Sequence, residues 1–312
     1  RPPRSTLFPY TRLFRSRDPF KKHGKYYFYR NDGLQNQSVL YVKETLDGEA
    51  EVLLDPNTLS DDGTVALNGI SFSNDGKYLA YTISRSGSDW VEIYVMDLAT
   101  RQLTPDHIEW AKFSDASWLG DGFYYSAYDR PTEGKEFSNV NAGHKIYYHK
   151  IGTPQSDDVL FYQNPTEPKR FYDVEVNEDE TLMYLSESGA GAGNNLYVRD
   201  LRKKDAVFIQ MTNNMDYQYA PLYAEDDCLY LYTNFDAPKG RIVTTDIHNP
   251  GVNDWQVLIP EQQNVLSGVA VIGRQLVLTY SQDACDHAFV YDLDGKLRHE
   301  VKLPTVGSVD FT

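Results

Sequence analysis

The chain has 312 residues, 41% of them hydrophobic, with 24 Tyr and 14 Phe and no apolar run near the ~18 residues of a membrane-crossing helix. That is the profile of a soluble all-β protein, and the length is compatible with one large domain. The net charge is -15, and because residues 1–17 hold five Arg and no acid, the remainder carries 25 basic against 45 acidic residues, a surface that repels nucleic acid and anionic membranes.

Residues 1–17, RPPRSTLFPYTRLFRSR, are basic, Pro-interrupted and without the apolar core of a signal peptide. They read as a non-native or disordered leader, resembling translated adaptor sequence, and the domain is expected to begin at Asp18. From there a pattern starts: a tight turn at His23-Gly24, the aromatic strand Tyr26 to Tyr29, a polar loop, and a second strand ending near an acid, Val39 to Glu44. The fullest copy is 65–104, with Asn74-Asp75-Gly76, then Tyr78 to Thr82, a polar turn from Ser84 to Asp89, then Glu92 to Leu98. Asx-Gly supplies the positive φ a hairpin needs, and Val, Ile, Tyr and Thr suit a pleated, half-buried strand. Three or four short antiparallel strands in about 40 residues is the size of one propeller blade.

The turns recur at Asp121-Gly122, Asp179-Glu180, Asp227-Cys228 and Arg274-Gln275, so that successive turns from His23-Gly24 onward are 52, 46, 58, 48 and 47 residues apart. The longest step reflects an insertion, Asp129 to Ala142, read as an exposed loop. Such units cannot bury both faces alone and must stack on neighbours, so the fold class is an all-β β-propeller. Six complete blades are expected, with Val306 to Phe311 opening a seventh.

The strings NDGLQNQSVLY, LLDPNTLSDDGTVAL, FSNDGKYLAYTISRSGSDW, IYYHKIGTPQSDDVLFY and LYTNFDAPKGRIV, spread over 31–243, closely resemble the propeller of the prolyl oligopeptidase family. The resemblance runs in register from about Asp18 to the C-terminus. It implies a seven-bladed propeller gating an α/β-hydrolase domain, the pair cleaving short proline-containing peptides after proline and excluding folded proteins. On that reading 18–312 is the propeller, the hydrolase domain is the partner absent from this chain, and no cofactor is needed. Two other readings stay open: a stand-alone propeller used as a binding scaffold, and the propeller of a related dipeptidyl peptidase or oligopeptidase B. The compartment is expected to be the cytoplasm, with the periplasm as the alternative.

The residues themselves give no catalytic set. A serine hydrolase of this architecture needs a nucleophile on a strand-to-helix elbow, typically G-x-S-x-G, then an acid and a His, and that motif does not occur. The chain alone is therefore expected to lack peptidase activity. The seven histidines show no metal-ligand spacing and read as blade-edge residues; Asp55 to Thr64 lacks the Gly and Glu positions of an EF-hand. Gly189 to Gly193 joins two strands rather than a strand and a helix, so it is a blade loop and not a nucleotide fingerprint. Cys228 and Cys285 read as unpaired thiols. What the resemblance does imply is an apolar wall for substrate residues upstream of proline: Phe113, within Lys112-Phe113-Ser114 and followed by Trp118, Phe171 within Lys169-Arg170-Phe171, and Ala190.

Overall fold

The computed structural model describes residues 20–135, 141–283 and 285–301. The leader, part of the 129–142 insertion and the expected seventh-blade strand at Val306 to Phe311 lie outside them. The chain divides into two compact units, Pro19–Leu185 and the stretch from Ser186 onward.

In the first unit, β1 (Phe20–Lys22), β2 (Lys25–Arg30), β3 (Val39–Lys43) and β4 (Glu51–Leu54) form one antiparallel sheet in sequence order. The next repeat supplies β5 (Val65–Phe72), β6 (Tyr78–Arg85), β7 (Val91–Asp97) and β8 (Gln102–Ala111). The third supplies β9 (Ser117–Leu119), β10 (Gly122–Ala127), β11 (Lys145–Lys150) and β12 (Val159–Gln163). Separate blades are expected from the repeat, but these two are fused into one eight-stranded sheet. The joint is one residue pair, Ala111 opposite Ala127, flanked by the hydrogen bond from the Lys112 N–H to the Ser126 carbonyl.

The fourth repeat is β13 (Phe171–Val176), β14 (Leu182–Ser188), β15 (Asn194–Asp200) and β16 (Ile209–Gln210), and β14 carries the chain from the first unit into the second. The second unit continues with β17 (Tyr219–Glu225), β18 (Cys228–Thr233), β19 (Arg241–Asp246) and β20 (Gln256–Ile259), then β21 (Val265–Ile272), β22 (Gln275–Gln282), β23 (Cys285–Asp292) and β24 (Leu297–Val301). Each set of four is a separate antiparallel sheet in sequence order.

Burial grades across most of the sheets. All residues of β10 and β14 are buried, and β6, β18 and β22 are buried through their centres, whereas β12, β16 and β24 are largely exposed. A strand covered on both faces carries a continuous apolar and aromatic run instead of alternating, and that is what GFYYSA, LMYLSES and CLYLYT are. The first unit holds two apolar clusters, one around Leu40, Leu79 and Tyr81 and one around Ile93, Ile108, Phe123 and Trp118. The second has its own, around Ile242, Leu266, Leu276 and Tyr280. Each large side chain sealed in this way contributes about 1.5–3 kcal/mol.

The hairpin turns are set by register. Lys22 faces Lys25, Glu225 faces Cys228 and Ile272 faces Gln275, leaving two-residue loops at His23-Gly24, Asp226-Asp227 and Gly273-Arg274. All six of these residues have positive φ, the type I′ geometry that follows the strand twist. The third repeat's loop is Gly120-Asp121, with only Gly120 at positive φ. Three turns thus fall one residue earlier than the sequence pattern places them. Gly122 is already in β10, where a Cβ would come within 1.9 Å of the His149 carbonyl oxygen.

Two long-range contacts lock the second repeat to the third. Trp118 donates its indole N–H to the Ser71 carbonyl at 3.1 Å and stacks on Tyr78 with ring centroids 6.0 Å apart. Among the described residues, no helix is long and apolar enough to cross a membrane.

Candidate substrate-facing wall

At the end of β8 the chain turns sharply through Trp110-Ala111-Lys112-Phe113. Trp110 and Phe113 both sit in the left-handed region, at φ 62° and 51°. That conformation costs a bulky L-residue about 1–3 kcal/mol and persists only where surrounding contacts impose it.

Those contacts are visible. Lys112 donates its backbone N–H to the Ser126 carbonyl at 3.2 Å, and the Ser126 N–H donates to the Ser114 hydroxyl at 2.8 Å. The Ser126 hydroxyl in turn donates to the Tyr172 carbonyl at 2.7 Å. His144, 1% exposed, completes the bracket. Its Nε2–H donates to the Lys112 carbonyl at 2.7 Å, while Nδ1 accepts from the Tyr172 N–H at 2.8 Å. One imidazole therefore ties the residue before Phe113 to the residue after Phe171, and fixes its own tautomer in doing so.

The two aromatics meet: the Phe113 and Phe171 rings lie 4.5 Å apart and tilted by 47°. His144 touches both edge-on, with centroids at 6.0 and 6.1 Å, and packs on Tyr128 at 4.8 Å. Both phenylalanines are half-buried, so neither is sealed in the core. Ala190 is exposed in the loop between β14 and β15 and belongs to the second compact unit. The structure thus brings Phe113 and Phe171 together, with Ala190 on a separate loop. Burial drives the His144 pKa down to about 4, with the Lys112 charge acting in the same direction and the hydrogen bond to the Lys112 carbonyl opposing it, so the ring is neutral near pH 7.

The expectation of blade-edge histidines fails at His144 and again at His149, which is 0% exposed. His149 lies between two sealed carboxylates, Nε2 at 2.7 Å from Asp106 and Nδ1 at 2.7 Å from Asp158. Tyr125 donates its hydroxyl to Asp158 at 2.5 Å, and the Gly152 N–H donates to Asp106 at 2.9 Å. Burial opposes charge on this ring, but hydrogen bonds and charge from Asp158 and Asp106 outweigh it and raise the pKa. Sequence spacing misses these groupings because their members are remote: 32 residues separate Lys112 from His144 and 43 separate Asp106 from His149. It also misses Glu92, His107 and Glu109, whose donor atoms gather within 4.8 Å. The two carboxylates are already paired with Arg85 and Arg130, which leaves little electrostatic demand for a cation.

Residues 12–312 match the family profile of the N-terminal β-propeller domain of prolyl oligopeptidase. The chain belongs to that family. It is 42% identical over 292 residues to a prolyl endopeptidase of Elizabethkingia meningoseptica, covering 93% of this chain and 41% of the relative. It is 32% identical to prolyl oligopeptidase A of Amanita bisporigera, covering 94% and 43%. Among solved structures it superposes on prolyl oligopeptidase B of Galerina marginata bound to a 35mer hydrolysis and macrocyclization substrate with a TM-score of 0.82, at 25% identity, over 97% of this chain and 46% of that one. The fold is an all-β propeller, and the chain spans about two fifths of the length of the curated relatives it matches.

Proposed function

We propose that this propeller gates and filters substrate for an α/β-hydrolase domain in a prolyl oligopeptidase-type serine peptidase that cleaves short peptides after proline. Family membership supplies the reaction class. The observation carrying the wall is local: two half-buried phenylalanines 4.5 Å apart, one held in a costly backbone conformation by a buried histidine. Strain maintained by such a network fits a surface that must keep its shape when a ligand arrives. In this reading Phe113 and Phe171 form an apolar floor for substrate residues upstream of proline, and Ala190 is the further wall position that the family resemblance implies. In this reading the propeller is of the seven-bladed type, with six of its repeats in 18–301. The two free thiols fit a reducing setting such as the cytoplasm.

The test is Phe113→Ala in the propeller joined to a prolyl oligopeptidase hydrolase domain. Peptides extended upstream of proline should lose about 5- to 100-fold in kcat/KM, the worth of one buried aromatic contact, while a minimal proline substrate is spared. Equal loss on both substrates would make Phe113 an ordinary packing residue.

A further inference from the structure

Beside the Phe113 ring stands a cation with no hydrogen-bond partner among the described residues. Lys112 is 8% exposed, and its Nζ lies 4.8 Å from the centre of the Trp90 ring and 5.7 Å from that of Phe113. Aromatic faces attract an ammonium but accept no proper hydrogen bond, and an ammonium has three protons to place. Among the described residues no acceptor lies within hydrogen-bond reach of it. Nor is Nζ one of the sealed polar atoms that lack a partner, so it stays reachable from outside while its stem is buried. Burial lowers its pKa, and the charge of Asp89 only partly offsets that.

We propose that Lys112 is a specificity residue of the wall: its ammonium takes the side-chain carboxylate of a Glu or Asp in a peptide lying across Phe113. The inference rests on the wall reading above and adds a charge preference to it. Trp90 and Phe113 orient the cation without neutralising it, and Trp90 is itself set edge-on against Trp110, at 5.4 Å and 83°. A carboxylate arriving there gains a charge-assisted hydrogen bond in a partly dewatered site, where such bonds are strongest.

The probes are two peptides differing at one atom pair, acetyl-Glu-Phe-Ala-Pro-amide and acetyl-Gln-Phe-Ala-Pro-amide, titrated into the chain while following tryptophan fluorescence, with calorimetry as a second readout. The Glu peptide should bind about 10-fold tighter than the Gln peptide at low salt, and added salt should narrow the gap. Lys112→Met should abolish the preference while leaving Gln-peptide binding in place, and Lys112→Arg should restore it. If Lys112→Met is misfolded by circular dichroism, Lys112→Gln serves instead. Equal binding of the two peptides to the unsubstituted chain, or a Glu preference that survives loss of the ammonium, overturns the role of Lys112 and leaves the wall standing. Binding of neither peptide overturns both.

Discussion

Two buried imidazoles five residues apart in sequence, His144 and His149, show opposite solutions to one problem. His144 faces a backbone carbonyl on one side and a backbone N–H on the other. Those partners demand a neutral ring with one protonated nitrogen, and burial enforces it. His149 faces a carboxylate on each side. Those partners demand a proton on both nitrogens, and their charge overrides the same desolvation. Charge state in this core therefore follows from the partners rather than from depth. The wall is built on a neutral, pinned bracket, whereas His149 is a staple between carboxylates that joins β8, β11 and the residue before β12.

The largest effect that would break this contrast is substitution of the staple. His149→Leu leaves Asp106 and Asp158 buried without their cation, and removing one partner of such a group costs about 3–5 kcal/mol. Urea denaturation at pH 6 should show that loss in the midpoint without a change in slope. A loss under about 1 kcal/mol would mean the carboxylates are neutral and the staple uncharged.

Next comes pH, where the two rings should act on opposite limbs. His144 has a folded pKa of about 4, below its unfolded value, so protonation favours unfolding. Its contribution is complete above about pH 6.5 and is lost as pH falls from there toward 4, by about 3 kcal/mol at the limit. His144→Gln should flatten that acid limb. His149 is raised, so its contribution is complete below about pH 6.5 and is lost as pH rises through its folded pKa. Acid-limb curvature unchanged in His144→Gln would assign that titration elsewhere.

Smaller still is the wall itself. Phe113→Ala should cost about 1–3 kcal/mol of transition-state binding for extended substrates and less in folding stability than His149→Leu. Near-complete unfolding of Phe113→Ala would place it in the core. The smallest effect concerns Trp110, whose buried indole N–H has no hydrogen-bond partner among the described residues. Trp110→Phe removes an orphaned donor and should change stability by less than about 1 kcal/mol in either direction, whereas a loss above 2 kcal/mol would reveal a partner for that N–H.

Much of this was legible in the chain. Asp-Gly and His-Gly turns, aromatic runs after them and the near-constant spacing identify a stack of small antiparallel sheets, because positive-φ turns and doubly covered strands leave local signatures. The family resemblance also singles out Phe113 and Phe171, which the structure places ring against ring. Less legible were the turn positions at Gly120-Asp121, Asp226-Asp227 and Gly273-Arg274. Register settles them, and register depends on which residue of the neighbouring strand each one faces.

By itself the sequence determined the repeat, the strand grammar and the family, all of which rest on interactions within roughly 40 residues. Only the tertiary structure decided that Ala111 and Ala127 would join two repeats into one sheet, that the pKa of His144 would be pushed down and that of His149 up, and that Lys112 would be held over two aromatic rings with no hydrogen-bond acceptor among the described residues. The reason is physical. A side chain's charge and role are set by the atoms within about 4–6 Å of it, and for these residues those atoms come from strands far away along the chain.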